Sequence, residues 1–368
     1  MAVDVGLARL SNDLIVGGVA AYSLGFLAYA LDAAFGNHAP QVASTSVDVR
    51  EPALVGATGA SAVGLPATAP NSGVGNPVEP GIAGAWQAPS AAPAASASSA
   101  ASAAAAATRG FGVLLSRRSG QFAVAATALG WLLHLAAIVS RGLSVQRLPW
   151  GNMYEFTLAL AFATVTAFLV MQARQPVRYL GVFVMAAVVL ALGLAVLVLY
   201  VPAAPLMPAL HSFWLAIHVT AAIIASGVFV VATAATVMFL IADQSARAIE
   251  AGKPVRFSAI ARLMPRAEVL DRTAYRAYAF AFPIWTFAVV AGAIWAEYAW
   301  GHYWQWDPKE TWAFITWVIY AGYLHARATA GWRGRKAAYV AMLGFASIIF
   351  NFFVVNLVIS GVHSYAGL

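Results

Sequence analysis

Cysteine is absent from the 368 residues. That excludes disulfides, thiolate metal sites and a cysteine nucleophile, so any metal must be held by His, Met, Tyr or carboxylate. Charge is scarce as well. Only 10% of residues are Asp, Glu, Lys or Arg, against 61% that are hydrophobic, whereas soluble domains average about 25% charged residues. So much apolar sequence excludes a soluble globular domain and requires an all-α, polytopic integral membrane helix bundle. No internal repeat is evident.

Eight apolar spans approach the ~20 residues that a bilayer requires: 12–36, 119–140, 152–173, 179–201, 212–242, 277–299, 309–327 and 337–360. The first is read as a transmembrane helix and not as a signal peptide. Asp4 and Asp13 stand at its start, and Asp32-Ala-Ala-Phe-Gly is a poor cleavage site. All Lys and Arg residues fall in alternate connectors except Arg9, Arg141, Arg147 and Lys309. The positive-inside rule then places both termini outside, together with the 295–312 connector. The net charge of +7 is thus a topology signal, and nucleic acid is not an expected partner. Residues 1–36 form the first transmembrane unit, and 119–368 the main membrane domain. Between them, 37–118 is an Ala/Pro/Ser-rich stretch with little to bury that reads as a disordered cytoplasmic linker, its alanine run able to form helix locally.

The connector Trp300-Gly-His-Tyr-Trp-Gln-Trp-Asp-Pro-Lys-Glu-Thr-Trp312 concentrates four tryptophans, a histidine and three charged residues at a membrane boundary. Trp300, Trp304, Trp306 and Trp312 make an aromatic surface suited to a large flat apolar ligand. Asp307-Pro-Lys-Glu also reads as a helix start, with Asp as N-cap and Pro at the first helical position. Trp295, Trp317 and Tyr320 read as interface anchors.

Ionisable residues within membrane spans are rare and usually functional. His218 and His363 lie at the outer ends of the fifth and eighth spans, level with the tryptophan loop. Two such imidazoles beside an aromatic platform could supply both axial ligands of a haem. Zinc fits less well, because it takes three or four ligands and needs no aromatic shelf. His325 lies sixteen residues into the seventh span. His134, in the outer half of the second, differs from it in depth by roughly 10 Å or more, so the two are not expected to share an iron. His325 therefore needs a partner protein or a five-coordinate site. His211 and His302 are placed to hydrogen-bond a ligand carboxylate, and His38 falls in the linker.

The segment Trp295-Ala-Glu-Tyr-Ala-Trp-Gly-His-Tyr-Trp-Gln-Trp-Asp-Pro-Lys-Glu-Thr-Trp resembles the tryptophan-rich WWD signature of haem-handling proteins. Followed by Tyr323-Leu-His-Ala-Arg, it is similar to the CcsA/ResC subunit of the system II cytochrome c synthetase. Asn152-Met-Tyr-Glu, Ser212-Phe-Trp-Leu-Ala-Ile-His-Val, and Asn351-Phe-Phe-Val-Val-Asn with Gly361-Val-His-Ser-Tyr match further elements in order. The resemblance covers about 120–365.

It implies a protein of the bacterial plasma membrane that exports haem b and presents it for thioether attachment to an apocytochrome c carrying a CxxCH motif. As a holocytochrome c synthase component it would act with a ResB/CcsB-type membrane subunit. His218 and His363 would ligate the external haem iron. His325 would hold an inner haem, with its second ligand from the partner. His302, Glu155, Arg147, Asp307 and Lys309 would contact propionates or the apocytochrome. Two neighbouring readings are a haem chaperone without lyase activity and a haem b electron-transfer protein. A His-dependent transporter leaves the tryptophan loop unexplained.

Overall fold

A computed structural model of the chain describes residues 3–35, 94–205, 212–255, 261, 264–359 and 361–363, with side chains from residue 118 onward in the second of these stretches. His38 and His211 lie outside the described residues, as does residues 37–93 of the expected linker. The chain divides into two compact units, residues 1–40 with 109–368 and residues 41–108. The described part of the smaller unit is helical, from residue 94. The larger unit holds the helix bundle.

Hydrocarbon offers no hydrogen bonds, so an apolar chain must satisfy its backbone within each span, and that means helix. The helices are α1 (Val5–Phe35), α2 (Ala94–Val145), α3 (Met153–Arg174), α4 (Gly181–Leu197), α5 (Phe213–Glu250), α6 (Ala267–Trp300), α7 (Pro308–Ala328) and α8 (Arg335–Ile349). A π-helical turn, Phe350–Val354, continues α8. No strand occurs among the described residues.

Seven helices among the described residues are long and apolar enough to cross a membrane. The remaining expected span, 309–327, is α7, which falls short of that mark. Its bulk is aromatic (Trp312, Trp317, Tyr320, Tyr323) where the others are aliphatic, and Lys309, Glu310, His325 and Arg327 sit toward its ends. Its contacts still run the length of the bundle. Asp307, at its start, meets His363 beyond α8, and Arg327 makes a two-pronged pair with Asp271 near the start of α6.

Helix α5 is central. Of its most apolar stretch 78% is buried, against 33–39% for the other spans. It packs most extensively against α6, then against α3 and α8. Small residues permit this closeness, as is usual where lipid gives no hydrophobic drive for helix association. A Cβ at Gly227 would sit 2.8 Å from the α3 backbone at Ala163 and Thr164. Phe229 of α5 stacks on Tyr320 of α7 at 4.2 Å, and Tyr278 of α6 packs on Tyr320 at 5.2 Å.

This core corrects the reading of three aromatics as interface anchors. Tyr320 is fully buried and Trp295 is 2% exposed. Trp317 donates from its indole N–H to the Thr286 hydroxyl of α6. All three face other helices, because the helices that carry them are surrounded by neighbours their own sequences do not reveal.

The two ends of the bundle differ in charge. One end gathers the start of α1, the end of α2, the start of α3, the end of α6, the start of α7 and His363. The other carries Arg178, Arg247, Asp243, Asp271, Arg327 and Arg335, joined in part by the Arg247–Asp243 and Arg327–Asp271 pairs.

Candidate haem site at the histidine end

A cavity opens at the histidine end between α3, α5, α6, α7 and the π turn. His218 and His363 both line it, together with Trp295, Trp304, Lys309, Glu310, Asn351 and Asn356. Two residues far apart in sequence thus converge on one space.

Each histidine is oriented through Nδ1. The Nδ1 of His218 lies 2.7 Å from the Ala288 carbonyl oxygen of α6, which makes it the protonated nitrogen, since a carbonyl only accepts. Its ring stacks on Trp295 at 6.1 Å and 10°. The ring fits because position 292 is glycine: a Cβ there would stand 2.7 Å from the imidazole. The Nδ1 of His363 lies 2.8 Å from the Asp307 carboxylate, and its ring meets Trp300 at 4.7 Å and Trp295 at 5.7 Å. Metal-ligating histidines are held in this way, with the other ring N–H on a carbonyl or carboxylate fixing tautomer and angle.

Asp307 is both a helix cap and the partner of His363. One carboxylate oxygen accepts from the Lys309 N–H, and the other accepts from the Val362 N–H at 2.8 Å. Burial pushes its carboxyl up, but the His363 bond and charge and the two backbone N–H groups outweigh burial and hold it below the usual carboxylate value. Glu310 completes the capping box by accepting from the N–H groups of Gln305 and Asp307. The expected helix start at Asp307 is therefore present, and the same residue ties the C-terminal histidine to the loop.

The π turn shapes the opposite wall. In a π turn the hydrogen-bonding interval is five residues, and Asn351 and Asn356, five apart, both line the cavity. Asn356 accepts a short hydrogen bond from the Lys309 ammonium. Asn351 donates to the Lys309 carbonyl.

The tryptophans are not one platform. Trp304 lines the cavity. Trp300 packs on His363. Trp306 is exposed, has a left-handed φ of 61°, and packs against Trp304 and Phe314. Trp312 lies on Phe350 at 4.0 Å. His302 stacks on Trp300 and stands outside the lining. Trp295, read from sequence as an anchor, touches both histidine rings. The helical spacing of Ala288, Gly292 and Trp295, small residues below one large one on a single face, is the signal that could have found it.

Glu155 is fully buried behind the cavity wall. Arg141 and Arg147 both pair with its carboxylate, at 3.0 and 2.7 Å, and the Gly151 N–H donates to it at 2.9 Å. Arg141 and Arg147 also donate to the carbonyls of Val201 and Ala204. This cluster ties together the α2–α3 connector, whose Trp150, Gly151 and Asn152 line the cavity, and the chain leaving α4.

His325 is not brought near this site. It lies eighteen residues beyond Asp307 along α7, roughly 27 Å at 1.5 Å per residue, and its side chain is exposed on the bundle surface. His134 is fully buried between Tyr22 and Phe162, again away from the cavity.

This chain is similar to known proteins. The family described as cytochrome c assembly protein matches residues 150–363, a range that begins at the cavity-lining Trp150 and ends at His363. Cytochrome c biogenesis protein CcsA from Guillardia theta is 33% identical over 232 residues, covering 60% of this chain and 77% of that protein. CcsA from Synechococcus elongatus is 33% identical over 283 residues, covering 66% and 86%. CcsA from Gloeobacter violaceus is 32% identical over 290 residues, with the same coverage. The chain belongs to the cytochrome c assembly protein family, as a CcsA-type polytopic membrane protein of cytochrome c biogenesis.

Proposed function

We propose that this chain receives haem b as its substrate, exports it, and presents it at the histidine end for covalent attachment to an apocytochrome c. The observation that carries the reading is the convergence of His218 and His363 on one cavity, each with Nδ1 engaged by an acceptor so that Nε2 is the iron-binding nitrogen. Trp304 and Trp295 supply apolar and aromatic surface for the porphyrin. Lys309, a half-buried cation in the lining, suits a haem propionate.

The bond-forming chemistry is addition of two cysteine thiols across the haem vinyl groups. This chain has no cysteine, so both nucleophiles belong to the apocytochrome CxxCH motif. The chain holds the iron, fixes the porphyrin and excludes water, which is the protein's usual share in cofactor chemistry. His325, exposed on the surface of α7, supports an inner haem site completed by a ResB/CcsB-type subunit. In this reading the histidine end faces away from the cytoplasm of a bacterial plasma membrane, and the basic end faces the cytoplasm.

The test is co-expression of the chain with a ResB-type subunit and a CxxCH apocytochrome in a host lacking its own synthetase. Covalent haem on the apocytochrome is the expected product. His218→Ala or His363→Ala should abolish it. Covalent haem at the unsubstituted level in both variants would overturn the ligand assignment.

A further inference from the structure

Two buried acceptors, both on residues that line the cavity, have no donor. Glu310 is 9% exposed. The residue lines the cavity; one of its carboxylate oxygens is spent on the capping box, and the other, Oε1, is buried and has no hydrogen-bond partner. The amide oxygen of Asn351 is in the same condition. Its orientation is fixed, because its NH2 group must donate to the Lys309 carbonyl. Burying a carboxylate oxygen without a partner is costly, and the capping box does not require it: glutamine serves that motif equally. What the cap leaves unexplained is the second, ionisable oxygen. Lys309 does not satisfy it, since its ammonium goes to Asn356, and consecutive helix positions project about 100° apart.

Two desolvated acceptors on residues lining one cavity are complemented by a hydrogen-bond donor. The substrate that brings one is the thiol. We propose that Glu310 is a catalytic residue of thioether formation, accepting the apocytochrome S–H proton and returning it to the haem vinyl group, with the Asn351 amide oxygen orienting the S–H. This rests on the function proposed above.

The step balances without an added reagent. The S–H bond breaks and its proton passes to Glu310. Sulfur bonds to the vinyl carbon next to the porphyrin ring as the vinyl π bond opens. The terminal vinyl carbon takes a proton from Glu310, which ends as it began. One thiol and one vinyl group become one thioether, with no net oxidation or reduction.

Glu310→Gln isolates the idea. The amide oxygen keeps the capping box, while the NH2 group that replaces Oε1 cannot take up the proton. The variant is co-expressed with the ResB-type subunit and a CxxCH apocytochrome, and two quantities are read: haem bound to the purified membrane protein, by absorption spectrum, and haem bound covalently to the apocytochrome. The expected result is unchanged bound haem with about a 100-fold slower attachment, the lower end of general acid–base contributions. Attachment at the unsubstituted rate would overturn the proposal. So would loss of bound haem in Glu310→Gln, which would make Glu310 a holding group. An unsubstituted chain that carries no haem and yields no product would overturn the function reading itself, and this proposal with it.

Discussion

Two helix starts border the cavity, and they are built alike. At the start of α3, Asn152 caps the helix by accepting from the Glu155 N–H, and Glu155 reaches back to the Gly151 N–H. At the start of α7, Asp307 caps and Glu310 reaches back to the N–H groups of Gln305 and Asp307. The difference lies in what surrounds each glutamate. Glu155 has both oxygens committed, to Arg141, Arg147 and a backbone N–H. Glu310 has one oxygen committed and one buried without a partner. The same local motif therefore serves as a strut in one place and as a candidate reactive group in the other. Asp307 differs from Asn152 in the same direction: both cap, but only Asp307 also carries the charge that orients a histidine.

Breaking the strut should have the largest effect on folding. Glu155→Ala leaves the buried Arg141 guanidinium without its counter-ion, and removing one partner of a buried pair costs about 3–5 kcal/mol. Thermal unfolding of detergent-purified protein should show a large loss for Glu155→Ala and little change for Glu310→Gln, whose cap survives. Equal losses would erase the distinction between the two glutamates.

Asp307→Asn sharpens the other half of the comparison. Asparagine caps as well as aspartate, so α7 should start normally. The carboxylate charge beside His363 is lost, and partners of ligating histidines are typically worth about 10–100-fold in affinity. Haem titration should show that weakening with the helix content intact.

A smaller effect follows from acidity. The Asp307 carboxyl is held below its ordinary value in the folded protein, so its contribution to stability is full above the ordinary carboxylate value, about 3.9. That contribution is lost as pH falls through the lower folded value. The stability gap between the unsubstituted protein and Asp307→Asn should be widest near neutrality and should close on acidification below about pH 4. A gap independent of pH would show that the carboxylate charge is not what matters there.

Much of the candidate site could be read from the sequence because its signals are local. Hydropathy marks the spans, the thirteen-residue tryptophan loop announces itself, and Asp307-Pro-Lys-Glu specifies its own helix start. His218 and His363 stand out by type and by level in the membrane. What escaped depends on which helix faces which. Nothing local separates Glu155 from Glu310, since the arginines that enclose Glu155 come from α2 and the connector after it. Trp295 looks like an anchor until α5 places His218 against it. Trp312 looks like a neighbour of Trp304 until its packing on Phe350 takes it elsewhere, and Trp306, which does pack edge-on against Trp304, is exposed and outside the cavity lining. The π turn, which brings Asn351 and Asn356 to one wall, has no sequence signature in this chain.

In the function proposed here, this chain alone builds a complete bis-histidine haem site at its histidine end. The most direct test is the oxidised and reduced absorption spectrum of the chain purified in detergent without any partner subunit and supplied with haem, compared with the His218→Ala, His363→Ala double variant. A low-spin bis-histidine spectrum that the double variant loses is the expected result. A folded chain that binds no haem, or one whose spectrum survives loss of both histidines, would contradict it.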